Sequence, residues 1–258
     1  MTHAKLKITF LGTGTSQGVP VIGCRCTVCR SEDTKDKRLR PSVMIETEDK
    51  VFIIDTGPDF RQQMLKENVR NLTAVLYTHE HKDHVAGMDD LRAFNYLTGK
   101  PVKLFASKQV QESLKLQFHY VFSNKRYPGI ANVNFNTIDS KPFSIEGVKF
   151  TPINVFHHKM PVFGFRVGDF TYITDASYID DEEKQKITGS KILVLNTLRK
   201  EKHISHFTLE EAISLMQELN PREGYFTHIS HQLGLHSEVN AELPKNIKLA
   251  YDGLSIEL

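Results

Sequence analysis

Hydrophobic and polar positions alternate from the start of the chain. Leu6, Ile8 and Phe10 interleave with Lys5, Lys7 and Thr9, the period of a half-buried strand. Gly12–Gly18 reads as a loop, and Ser42–Glu46 and Val51–Ile54 read as two strands joined by a charged turn. Behind Pro58, Phe60, Met64 and Leu65 recur at helical spacing. Ala74–Tyr77 is a short continuous apolar run, as expected of a strand buried on both faces. Asp89–Tyr96 and Lys108–Phe118 read as helices, and Ser123–Asn134 as an irregular surface excursion. Strands return at Val148–Val155, Val162–Val167 and Phe170–Thr174, the last two joined across Gly168-Asp169, and again at Ile192–Leu195. Thr208-Leu209-Glu210-Glu211 has the form of a capping box. Leu209, Ala212, Ile213, Met216 and Leu219 then make one apolar helical face, closed by Asn220-Pro221. Gly224–Thr227 leads into His228, and two short strands flank Asp252-Gly253. Strands with helices between and around them, hairpins included, predict a layered α/β fold with sheets packed face to face under helices.

Composition narrows this only a little. The 258 residues suit one large domain or two small ones, and 40% hydrophobic with 25% charged residues is ordinary for a soluble globular chain. A net charge of +2 supplies no global field for a polyanion. No apolar stretch approaches the ~18–20 residues of a membrane span, and Met1–Lys7 carries no apolar leader pattern. The three cysteines crowd into six positions, so they are not a spread disulfide framework, and a reducing cytoplasm is the expected compartment. The unusual feature is twelve histidines, eight of which (His79, His81, His84, His157, His158, His206, His228 and His231) fall at predicted strand ends or in the loops that follow.

His79, His81, Asp83 and His84 lie within six residues, directly after the apolar run at Ala74–Tyr77. Residues two apart in extended chain point the same way, so His79 and His81 share a face, and Asp83 and His84 follow as the chain turns toward the helix at Asp89. Imidazole nitrogen and carboxylate oxygen suit zinc, iron or manganese. Four donors from so short a run are more natural on two metals than on one, His79 with His81 and Asp83 with His84. The competing reading is a solvated histidine-rich loop. Further ligands follow the same strand-end pattern: His157 or His158, Asp175, and His228. Asp175 is suited to bridging two cations through its two oxygens.

Thr78–His84, preceded by Phe10-Leu11-Gly12-Thr13-Gly14 and Ile54-Asp55-Thr56-Gly57, resembles the metallo-β-lactamase superfamily, with the motifs in order from Phe10 to about His231. The resemblance implies a four-layer αββα sandwich, an active site at one edge of the two sheets, and a single hydrolase domain over residues 1–258. It places His79, His81 and His157 on one metal, Asp83, His84 and His228 on another, and Asp175 between them. It favours His157 over His158 on the family's His-x-Lys spacing. It also makes Asp55 a buried carboxylate that orients the ligands.

Cys24-Arg25-Cys26-Thr27-Val28-Cys29 reads as three thiolates of a tetrahedral structural zinc site, with His231 as the fourth ligand; a redox cluster or ordinary thiols are the alternatives. With His203-Ile204-Ser205-His206 ahead of Thr208–Glu211, this loop resembles the PhnP-type cyclic phosphodiesterase branch. That likeness implies catalytic roles for His206, as acid–base, and for Asp83. The expected function is hydrolysis of a small phosphodiester, cyclic ones included, through a metal-bridging hydroxide. The expected cofactors are two divalent ions (zinc or manganese, with iron compatible) and one structural zinc. The resemblance also admits a homodimer. Competing readings are a ribonuclease Z-like transfer RNA 3′ endonuclease, a thioesterase or lactonase of the same fold, and a non-enzymatic metal sensor or structural protein. The absence of a long Gly/Pro-rich arm and the near-neutral charge speak against nucleic acid.

Overall fold

The computed structural model describes residues 5–123 and 127–258. The first residues of the leader reading, and part of the Ser123–Asn134 excursion, therefore lie outside the described residues. In chain order the strands are β1 (Leu6–Gly12), β2 (Ser42–Thr47), β3 (Lys50–Ile54), β4 (Ala74–Leu76), β5 (Val102–Ala106), β6 (Val133–Thr137) and β7 (Phe143–Ile145). They continue as β8 (Val148–His157), β9 (Met160–Val167), β10 (Phe170–Tyr172), β11 (Ile192–Asn196), β12 (Glu223–Thr227), β13 (Ile247–Leu249) and β14 (Ser255–Glu257).

The chain divides into two compact units, one of residues 1–11, 42–139 and 253–258 and one of residues 12–41 and 140–252. The first holds a seven-stranded sheet in the order β14-β1-β2-β3-β4-β5-β6. Strands β2 and β3 pair antiparallel, whereas β3 to β6 run parallel. Parallel neighbours put their C-terminal ends on one edge, and Ile54 lies opposite Leu76, so the chain leaves β3 and β4 side by side. Ile53, Val75 and Leu104 pack with Phe60 and Met64 from the helix Phe60–Lys66 and with Val110 and Leu114 from the helix Lys108–Gln117. Burying each such side chain contributes about 1.5–3 kcal/mol. Of the predicted stripe behind Pro58, Phe60 and Met64 are buried and Leu65 faces out.

The second unit holds a sheet in the order β13-β12-β11-β10-β9-β8-β7. Its strands from β7 to β10 pair antiparallel and those from β10 to β13 pair parallel. The register sets Asn196 beside Thr227, so residues that follow β11 and β12 also emerge at a common edge. Leu193, Leu195 and Phe226 pack with Ala212 and Met216 of the helix Leu209–Leu219. The predicted capping box is present: Thr208 N–H donates to Glu211 Oε2 at 2.9 Å and Glu211 N–H to Thr208 Oγ1 at 3.2 Å. Asn220 ends the helix in the left-handed region.

Two mixed sheets, each with its own helices, are the pair of halves that the αββα expectation requires. Some local expectations change. Asp83 and His84 lie inside a short helix, Lys82–Val85, instead of a loop approaching Asp89. The closing strands belong to different sheets, β13 beside β12 and β14 beside β1. Strand β6 begins at the end of the stretch read as irregular, at Val133 and Asn134: Val133 and Phe135 alternate with asparagines, which disfavour strands, and pairing with β5 overrides that local preference. Among the described residues no helix is long and apolar enough to cross a membrane.

Candidate metal centres

In the first unit, the donors are arranged by one buried carboxylate. Asp55 follows β3 with φ of 66°, a left-handed conformation that Asp tolerates better than most residues. This backbone directs its side chain toward the residues leaving β4. Asp55 Oδ1 accepts from Thr78 N–H at 2.9 Å, and Oδ2 accepts from the Thr78 hydroxyl at 2.8 Å and from His84 Nδ1 at 2.7 Å. Burial pushes the Asp55 carboxyl up, and His84 and the Thr78 hydrogen bonds oppose that rise only in part. The carboxylate can only accept, so His84 Nδ1 carries the proton and Nε2 keeps its lone pair. That lone pair lies 3.2 Å from Asp83 Oδ2. His79 Nε2 lies 3.1 Å from His81 Nδ1, and the His79 and His84 rings are 4.1 Å apart. His79, Asp83 and His84 are buried, whereas His81 is exposed. Two facing acceptors, such as His84 Nε2 and Asp83, repel each other unless a cation or an added proton sits between them. This donor set fits a divalent ion.

The second unit gathers His157, Asp175 and His228 from separate strand ends and His206 from the loop between β11 and the helix Leu209–Leu219. Asp175 and His228 both take φ of 56°. Such conformations cost roughly 1–3 kcal/mol each and persist where the surroundings hold them. His228 Nε2 lies 3.1 Å from Asp175 Oδ1, and Thr174 Oγ1 donates to Asp175 Oδ2 at 2.7 Å. His157 Nδ1 donates to the Ser205 carbonyl at 2.8 Å, leaving Nε2 as its donor atom. Ligand atoms of His157, Asp175 and His206 lie within 4.8 Å of one another. Between the two candidates, His157 therefore meets the other donors, whereas His158 is exposed with φ of 57°. His206 stacks on His228 with centroids 4.8 Å apart, and its Nδ1 lies 4.0 Å from Asp175 Oδ1. Burial, with His228 adding to it, pushes His206 down to about 3, so its ring is neutral at pH 7.

Cys24, Cys26, Cys29 and His231 come together as the spacing and the late histidine suggested. His231 Nδ1 is 3.4 Å from the sulfurs of Cys24 and Cys26 and 3.6 Å from that of Cys29. A tetrahedral zinc with bonds of ~2.3 Å to sulfur and ~2.0 Å to nitrogen requires such edges to be ~3.5 Å. A hydrogen bond from the Cys29 backbone N–H is the main influence lowering Cys26 to about 6, while burial raises Cys29 to about 11.

Pattern reading missed two groups that hold these donors: the Ser205 carbonyl, and the Thr78 hydroxyl as a partner of Asp55.

A family model described as a beta-lactamase superfamily domain matches residues 50–229. A solved diphosphatase of the PhnP family is 41% identical with a TM-score of 0.93, covering 98% of this chain and 97% of that one. An octanoyltransferase of Porphyromonas gingivalis is 38% identical over 252 residues, which are 96% of this chain and 51% of that protein. A ribonuclease Z of Crocosphaera subtropica is 27% identical over 168 residues, which are 64% of this chain and 48% of that protein. The chain thus spans about half the length of these curated relatives.

Proposed function

This chain belongs to the PhnP family of the metallo-β-lactamase superfamily, and we propose that it is a metal-dependent hydrolase of a small phosphodiester. On the family's pattern, His79, His81 and His157 hold one divalent ion and Asp83, His84 and His228 a second, with Asp175 shared. Cys24, Cys26, Cys29 and His231 hold a structural zinc. The observation that carries this reading is the approach of His84 Nε2 to Asp83 Oδ2 at 3.2 Å while His84 Nδ1 is committed to Asp55.

When bound, such a pair of ions supplies a water nucleophile at neutral pH and offsets charge on the phosphate oxygens. The chain's own residues do the rest. Asp55 fixes the His84 tautomer, and the Ser205 carbonyl fixes that of His157. His206 gives its proton to the departing oxygen. The negative charge of a phosphate beside this buried ring favours its imidazolium form.

The purified chain, loaded with manganese or zinc, is expected to cleave bis(p-nitrophenyl) phosphate. His206→Ala should keep its metal content and lose about 10²–10⁴ in turnover. Because His206 acts protonated, kcat should fall on the alkaline side in the parent and lose that limb in the variant. Loss of metal together with activity would make His206 a ligand instead. The likeness to the superfamily leaves a second reading, hydrolysis of an acyl thioester. Cleavage of an octanoyl thioester but not of the phosphodiester would establish that reading in place of the first.

A further inference from the structure

Asn196 ends β11, is fully buried, and spends its side chain on the backbone of a single residue. Its Oδ1 accepts from Ala176 N–H at 2.7 Å, and its Nδ2 donates to the Ala176 carbonyl at 2.9 Å. Strands β10 and β11 run parallel, and their ladder continues one step past β10, where Ile173 N–H donates to the Val194 carbonyl at 2.9 Å. The chain then leaves the ladder, and Asp175 adopts its left-handed conformation. On the far side of that turn the Asn196 amide supplies the missing rung. A primary amide can do this because it carries a donor and an acceptor on one short stem; an ionised carboxylate has no donor to give.

The Ala176 carbonyl also accepts from Phe207 N–H at 2.9 Å. One residue, Ala176, therefore follows Asp175 directly and through its carbonyl anchors the residue after His206. We propose that Asn196 is a positioning residue: by fixing the Ala176 backbone from both sides, it sets the spacing between Asp175 and His206. The inference rests on the proposed roles of Asp175 as a shared metal ligand and His206 as proton donor.

Asn196→Ala removes both hydrogen bonds, and Asn196→Asp removes the donor to the carbonyl. In the full chain, both should weaken manganese binding beyond the Cys cluster by about 10–100-fold. Hydrogen exchange should quicken at Ala176 and Phe207 while β11 and β12 stay protected. In an Asp175→Asn background, Asn196→Ala should produce no further loss of manganese affinity. An undiminished loss in that background, unchanged manganese affinity in both variants, or exchange that quickens across β10 to β12 together would overturn the proposal and leave Asn196 an ordinary packing residue. Should the parent chain bind no manganese beyond the Cys cluster, the metal reading fails. The exchange comparison at Ala176 and Phe207 then decides the clamp by itself.

Discussion

The two units carry histidine–aspartate sets of similar chemistry and obtain them by opposite means. In the first, His79, His81, Asp83 and His84 come from one stretch of chain, and one carboxylate, Asp55, holds two of its residues, Thr78 and His84. In the second, His157, Asp175, His206 and His228 come from different strands and loops, and separate partners hold them: the Ser205 carbonyl for His157 and the Thr174 hydroxyl for Asp175. The first set depends on one residue; the second depends on the strand register that brings β8, β10, β11 and β12 to a common edge. Damage to the first should therefore be concentrated at a single position, and damage to the second spread over many smaller contacts.

The strongest test of that contrast is Asp55→Ala. It leaves the Thr78 N–H, the Thr78 hydroxyl and His84 Nδ1 without their buried acceptor. Leaving a buried donor unsatisfied costs about 1–3 kcal/mol, and with three donors affected urea unfolding should show a loss of at least that size. The Cys24–Cys26–Cys29–His231 cluster belongs to the other unit and should keep its metal, which cobalt substitution reports through thiolate absorption. Equal damage to both sites would mean that the two sets do not respond separately.

The same contrast explains what could be read from the chain. Donors close in sequence were legible because alternation and spacing decide which way neighbouring side chains point. The Cys-x-Cys-x-x-Cys spacing was legible for the same reason, and His231 only because it lies three residues past His228. His157, Asp175 and His228 were legible as strand-end polar residues, but spacing alone left His158 open; the structure groups His157 with Asp175 and His206 and leaves His158 exposed. Asn196 and Ser205 escaped because their roles are defined by partners about 20 and 48 residues away. Strands β5, β6 and β7 escaped because they are short and their pairing, more than their composition, makes them strands.

A smaller and more diffuse effect should come from acid. Arg38 is 4% exposed and donates to Thr13 Oγ1, to the Ala250 carbonyl and to His236 Nδ1. His236 must therefore keep an unprotonated Nδ1. Burial, with Arg38 adding to it, lowers His236 from 6.5 to about 4. Between those values the unfolded chain binds a proton that the folded chain does not. Stability from this group is thus complete above pH 6.5 and is lost as pH falls toward 4. His236→Gln should flatten that part of the stability–pH curve, as measured by urea unfolding from pH 8 to pH 4. Parallel curves for parent and variant would remove His236 as the cause.

The mildest perturbation probes the second set where it is most local. Thr208 Oγ1 satisfies a free N–H at the start of the helix Leu209–Leu219, two residues after His206. Thr208→Ala should cost about 1 kcal/mol, since Glu211 still reaches the Thr208 position through the backbone N–H. If support in this unit is spread out, the loss should appear as a small drop in melting temperature and a fall in turnover well short of that for His206→Ala, with metal content unchanged. Phe207, between the cap and His206, is tied independently to the Ala176 carbonyl, which is why a frayed helix start should leave the His206 ring nearly where it was. A fall in turnover as large as that of His206→Ala would mean that the cap, and not the Ala176 carbonyl, carries the position of His206.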